Sequence, residues 1–167
     1  MRSKRTIITL LTGIVSLLVI CAAVTLCIVF PNKYSSEVSS AAKEFGLPSS
    51  LVKSVVWAES KFDRHAVSEK GASGLMQLMP ETLKECANAL GIAEPDRFDA
   101  KTSLRCGCYY LSLMLDKFDG NEKAALMAYN AGEANARRFM LGETVFPETQ
   151  KYIQDIMFAK KVYGIVS

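Results

Sequence analysis

Histidine is nearly absent from this sequence. The single copy, His65, excludes HExxH zinc sites and multi-histidine metal centres, and a Ser-His-Asp triad would have to be built on that one ring. Cysteine is sparse too: five in 167 residues are too few for a disulfide scaffold. Acid is missing altogether from residues 1–30, which hold only the basic residues Arg2, Lys4 and Arg5. The formal charge of +3 therefore belongs to that end, because the remaining residues carry 17 basic and 17 acidic side chains. A balanced body has no basic excess with which to grip nucleic acid, so no nucleic-acid partner is expected. No alternating strand pattern and no internal repeat is found. Half of the residues are hydrophobic and 22% are charged, which excludes a disordered chain.

What is present begins with a long apolar run. From Thr6 to Phe30 there is no charged residue. A helix rising about 1.5 Å per residue over that stretch crosses a hydrocarbon core of ~30 Å with some tilt. The apolar part of a cleaved signal peptide is normally only ~7–15 residues long. Its nearest cleavage-like site, Cys21-Ala22-Ala23, is poor. Ile20 and Leu26 stand before Cys21 and Cys27, where lipid attachment wants a small residue. An uncleaved anchor is expected. The basic residues before it leave the N-terminus in the cytoplasm and the body outside. The expected division is a basic stub at 1–5, an anchor at 6–30, a linker and start of the first helix at 31–40, and a domain at 41–167. Of the cysteines beyond the anchor, Cys86 could pair with Cys106 or with Cys108, or all three could be buried thiols.

The body reads as all-α. A first helix runs from Tyr34 to Phe45, stopped by Gly46-Leu47-Pro48. Ser49 or Ser50 caps a second, from Leu51 to about Lys61. Pro80 suits the first turn of a third, which ends before Gly91. Asp99 opens a fourth with Leu104, Cys108, Leu111, Leu115 and Phe118 on one stripe. A fifth spans Asn121 to Ala131 and a sixth Ala134 to Leu141. The last carries Tyr152, Ile156, Ala159 and Tyr163 on one face.

One residue breaks the pattern. Val52, Val55 and Val56 make the apolar stripe of the second helix, with Lys53, Trp57 and Lys61 on another side. Glu59 continues the stripe. A carboxyl held there resists ionisation and can donate a proton near neutral pH. At a frayed helix end it would instead point to water. A glycine-containing loop follows, Lys70-Gly71-Ala72-Ser73-Gly74, and then Leu75-Met76-Gln77-Leu78-Met79-Pro80. Within it Gln77 offers a donor and an acceptor among apolar neighbours.

Four short motifs occur in order: Glu59-Ser60, Gly71 to Pro80, Ala128-Tyr129-Asn130-Ala131-Gly132, and Pro147-Glu148-Thr149-Gln150-Lys151-Tyr152. Together they resemble the soluble lytic transglycosylase family, over roughly Ala41 to Tyr163. The resemblance implies a lysozyme-like helical domain that cleaves the β-1,4 bond between N-acetylmuramic acid and N-acetylglucosamine in peptidoglycan. It implies a 1,6-anhydro-muramyl product, no metal and no cofactor. Glu59 matches the catalytic acid/base, and Ser60 its orienting neighbour. Ser73, Met76 and Gln77 match a loop lining the sugar subsites. Tyr129 and Asn130 match the motif facing the glutamate. Glu148 and Tyr152 match the last motif, where the tyrosine closes the site, although Tyr152 also fits a helix core. His65 matches no catalytic position. The expected protein is a monomer in the cell membrane, with a single pass and an extracytoplasmic domain that engages glycan strands. A goose-type-lysozyme-like hydrolase, with Asp63 or Glu69 as second carboxylate, and a non-catalytic peptidoglycan-binding module are the alternatives.

Overall fold

The first helix, α1 (Arg2–Val29), is a unit by itself that ends at Asn32. The computed structural model describes the backbone of residues 2–143 and 146–166, and the side chains of residues 11–143 and 146–165. Within α1, Leu11–Val29 has a mean hydropathy of 2.7 and is long and apolar enough to cross a membrane. The Thr25 hydroxyl donates back to the Cys21 carbonyl at 2.8 Å, inside the helix itself.

The second unit begins at Lys33 and holds seven helices among its described residues. They are α2 (Ser35–Glu44), α3 (Ser49–Ser60), α4 (Pro80–Ala89), α5 (Ala100–Lys117), α6 (Glu122–Ala131), α7 (Glu133–Met140) and α8 (Pro147–Val166). Several boundaries follow the expected chemistry. Asp99 caps α5 by accepting from the Thr102 N–H at 2.8 Å, and Asn121 caps α6 by accepting from the Ala124 N–H. Pro80 occupies the first turn of α4. The start of α3 differs from expectation. Pro48 holds the cap position without a side-chain bond, and Ser49 and Ser50 lie inside the helix. The fixed φ of proline and its lack of an N–H already suit a helix entrance, so no serine cap is required.

The core is where these helices meet. Val52, Val55 and Val56 of α3 are fully buried, and α3 packs chiefly against α8, whose Ile156, Ala159 and Tyr163 are also fully buried. Helix α5 presents Leu104, Cys108 and Leu111 as expected, but Met114 rather than Leu115 completes the buried face. Because α2 also packs on α3, more than one side of α3 is enclosed. Lys53 is buried as a result, against the sequence pattern, and burial lowers its pKa. Cys86, Cys106 and Cys108 are buried thiols; burial pushes Cys86 up to about 12 and Cys106 to about 11, so they remain protonated packing groups.

Between α3 and α4 the chain is irregular yet tightly held. No strand forms among the described residues, but isolated antiparallel bridges join Val67 to Ser73 and Ser73 to Leu78. The tip of this loop lies against α5. A Cβ on Gly74, where φ is +79°, would sit 2.3 Å from the Arg97 carbonyl oxygen. A Cβ on Gly107 would sit 2.4 Å from Met76 Sδ and 2.6 Å from Met76 Cβ. Gly107→Ala tests this contact. In an open helix interior the change gains up to about 1 kcal/mol. Here overpacking opposes it at about 1–3 kcal/mol. The expected result is a lower melting temperature, read by circular dichroism.

Candidate active site

Glu59 lies in the last turn of α3 and is half-buried. Its orientation is set from 93 residues away: the Tyr152 hydroxyl on α8 donates to Glu59 Oε1 at 2.5 Å. Loss of water around the carboxyl raises its pKa to about 7, with the Tyr152 hydrogen bond working against that rise. The nearby glutamate in turn pushes the pKa values of Tyr129 and Tyr152 well up, behind burial as the main cause. Both phenols therefore remain neutral donors at physiological pH.

Just past Glu59 the backbone stores strain. Lys61 and Phe62 both adopt the left-handed conformation, with φ of 52° and 62°. Each costs about 1–3 kcal/mol in a residue with a side chain. Two contacts hold the turn. Phe62 is buried with its ring edge-on to Tyr163 of α8 at 6.2 Å, and the Lys61 ammonium sits over the Trp57 ring. The turn frees Ser60 to reach forward. Its buried hydroxyl shares its hydrogen between the carbonyls of Leu75 at 2.9 Å and Val56 at 3.1 Å. Ser60 thus ties the end of α3 to the loop.

Two of the loop residues singled out from sequence, Gln77 and Met76, have internal partners. Gln77, at a φ of 46°, donates through Nε2 to the carbonyls of Ala66 at 3.0 Å and Gly74 at 2.9 Å. Met76 is fully buried against Gly107, while its carbonyl accepts from the Tyr129 hydroxyl at 2.8 Å. Ser73 is buried at the centre of the two bridges, and its Oγ has no hydrogen-bond partner among the described residues. These side chains shape the loop more directly than they present themselves to a ligand. Tyr129 also packs on Tyr110, with centroids 5.3 Å apart, and on the small apolar cluster around Leu83 and Cys86.

A cavity of about 670 Å³ opens beside this arrangement. It is lined by Lys70, Asn130, Asn135, Phe146, Glu148 and Tyr152, among others. Asn130, Glu148 and Tyr152 were singled out from sequence; Lys70, Asn135 and Phe146 were not assigned a role there. Nothing in the local pattern marks Asn135, which sits on a short polar helix. Lys70 stood in the glycine loop, but a lysine at a turn ordinarily faces water. An apolar groove of about 440 Å³ also flanks α8, lined by Phe139, Gln150, Ile153 and Phe158 among others, but it contains no carboxyl and none of the residues to which the motifs assign a role. Asp63 is committed elsewhere, accepting from the His65 N–H at 2.9 Å. Among the described residues no cluster of three or more His, Cys, Asp or Glu could hold a metal.

With this geometry in place, the relatives can be read. The family described as the transglycosylase SLT domain matches residues 36–151. The chain belongs to this family. A peptidoglycan transglycosylase of Escherichia phage T7 is 33% identical over 108 residues, covering 62% of this chain and 8% of that protein. The membrane-bound lytic murein transglycosylase F of Desulfosudis oleivorans is 33% identical over 111 residues, 63% of this chain and 23% of that protein. In three dimensions the SLT domain is similar to an inactive glutamate-to-glutamine mutant of the lytic transglycosylase Slt from Pseudomonas aeruginosa. That similarity has a TM-score of 0.78 and 34% identity, over 83% of this chain and 25% of that one. A 70-kDa soluble lytic transglycosylase in complex with bulgecin A gives a TM-score of 0.78 at 25% identity, over 84% of this chain and 25% of that one. The chain spans about a quarter or less of the length of these relatives. Their shared fold is lysozyme-like and helical, as the sequence motifs implied.

Two measurements probe the Glu59 environment. The native pKa of about 7 lies above the ordinary 4.5, so the folded state holds the proton more tightly than the unfolded chain. Stability is then undiminished below about pH 4.5 and falls as pH rises through about 7. Glu59→Gln escapes that loss. Its melting temperature should gain on wild type steadily between these limits and remain level above them. Tyr152→Phe removes the contact that lowers the Glu59 pKa. The protonated form should then persist to higher pH, seen as an upward shift of the alkaline limb in a pH–rate profile on a glycan substrate.

Proposed function

We propose that the body of this protein is a lytic transglycosylase. It cleaves the β-1,4 bond between N-acetylmuramic acid and N-acetylglucosamine, with Glu59 as the one acid/base. The observation that carries the reading is the half-buried Glu59 carboxyl, raised to about 7 and aimed by Tyr152, beside a cavity lined by the family's motif residues. The family membership and the names of the relatives support it.

The chemistry needs one proton carrier used twice. Protonated Glu59 gives its proton to the glycosidic oxygen as the bond to muramyl C1 breaks. The muramyl N-acetyl oxygen stabilises the positive charge that develops at C1. Glu59, now a carboxylate, takes the proton of the muramyl C6 hydroxyl. The C6 oxygen bonds to C1 and closes the 1,6-anhydro ring. Glu59 ends protonated as it began, and no water enters the product.

Hydrolysis is the second reading, and one observation favours it. Glu148 places a second carboxylate on the cavity wall, one helical turn from Tyr152. Glycosidases that add water use such pairs. Cleavage in ¹⁸O-labelled water separates the two reactions: anhydro ends free of label support the lyase, and labelled reducing ends support the hydrolase. Glu59→Gln should lower the rate by at least the ~10²–10⁴-fold that general acid/base help provides, since both proton transfers use one group. The folded variant should still bind glycan strands. Near-normal turnover would remove Glu59 from the mechanism.

For location, we infer that α1 anchors the chain with its N-terminus in the cytoplasm and residues 31–167 outside, working as a monomer on the wall. The apolar span and the basic residues before it support this placement. Protease added outside intact cells stripped of wall should digest the body, and a body digested only after lysis would reverse the orientation.

A further inference from the structure

Lys70 lines the cavity beside Tyr152, and nothing in the proposed cleavage uses it. It is held there by a closed turn. The Gly71 N–H donates to the Ser68 carbonyl at 2.9 Å and the Ala72 N–H to Ser68 Oγ at 3.0 Å. The Ser68 N–H donates across to the Ala72 carbonyl at 2.9 Å. The Gly74 N–H and Gln77 Nε2 both donate to the Ala66 carbonyl, which secures the base of the turn. Lys70 therefore projects from a pre-organised support, so less order is lost when it engages a ligand.

Among the described residues its charge has no ion-pair partner. Six ion pairs form among the described residues, and Lys70 takes part in none of them. It is also the one cation among the described residues that line this cavity. The neighbouring acid on the turn, Glu69, is exposed and does not line the cavity. Glu148 contributes the opposite charge from α8, and it too is outside those six pairs. The cavity thus offers a cation from the loop and an anion from the helix.

An N-acetylated glycan has no charge to meet that cation. Its sugars are neutral, and the muramyl lactyl carboxyl is consumed in an amide bond to the stem peptide. The anions of such a strand are the carboxylates of that peptide. We propose that Lys70 is a specificity-determining residue that pairs with a stem-peptide carboxylate, so that the enzyme prefers strands whose peptides are carboxylated over strands whose peptides are amidated. This rests on the glycan-cleaving reading of the same site. Glu148 reinforces the choice by repelling a carboxylate from the α8 side and leaving that side to peptide N–H groups or an amine.

The test uses the full chain in detergent and two substrates: glycan strands with free stem carboxyls, and the same strands with those carboxyls converted to primary amides. Amidation should lower wild-type kcat/KM by about three- to five-fold, mostly through KM, as expected for a partly exposed ion pair. The preference should shrink at high salt. Lys70→Ala should lose activity on the carboxylated strands only and become indifferent to amidation, and Lys70→Glu should favour the amidated strands. Equal losses on both substrates, or an unchanged preference, would overturn the assignment. The same cycle is measured as binding to Glu59→Gln and to its Lys70→Ala double variant. A full chain that cuts neither substrate would defeat the glycan-cleaving reading, while the binding cycle would still decide whether Lys70 reads the carboxylate.

Discussion

The hydrogen bond from the Tyr152 hydroxyl to Glu59 Oε1 joins the two helices on which the site depends. Glu59 ends α3, and Tyr152 lies near the start of α8. A carboxyl at a helix end would otherwise turn to water and ionise at its ordinary pKa. Here one donor fixes its direction while packing strips its solvent. The two effects oppose each other in pKa, and burial prevails. The residue therefore remains a proton donor near neutrality without losing its aim. The rest of α8 supports that contact. Tyr163 lies three turns beyond Tyr152 on the same face and closes over Phe62, immediately past the end of α3. Helix α8 is thus tied to the neighbourhood of Glu59 at both ends.

The second support is the loop from Ser60 to Pro80. Its backbone carbonyls are held by side chains from outside and within: Ser60 at Leu75, Gln77 at Ala66 and Gly74, and Tyr129 at Met76. Each bond satisfies a polar group in or near the core, where an unpaired one would cost about 1–3 kcal/mol. Of the strained residues here, Lys61 and Phe62 are held by Trp57 and Tyr163, and Gln77 by its bonds to Ala66 and Gly74. Motif residues that a one-dimensional reading assigns to sugar contacts are therefore also the fasteners of the loop. A loop held in this way presents Lys70 and the cavity wall in one geometry.

Much of this was legible in the sequence, and the limits have physical causes. Helices written in local periodicity, with caps at Asp99 and Asn121 and a proline at Pro80, formed within a residue or two of expectation. The anomaly at Glu59 was visible because a helical stripe is also local. Pairings across 53 and 93 residues, Tyr129 with Met76 and Tyr152 with Glu59, leave no periodic trace, and only the order of motifs pointed to them. The burial of Lys53 was hidden because the pattern shows which face is apolar, not how many neighbours enclose a helix. The substitution of Pro48 for a serine cap, and the burial of Ser73, were hidden because both depend on how the chain enters and leaves its turns.

The central claim is that Glu59 carries a proton near neutral pH. Labelling the glutamate side-chain carboxyls with ¹³C and following them by NMR against pH reads that proton directly, with Glu59→Gln assigning the resonance. The account predicts a Glu59 titration centred at about 7. A midpoint near the ordinary value of 4.5 would contradict it, because the carboxyl would then be ionised before a glycosidic oxygen could take its proton.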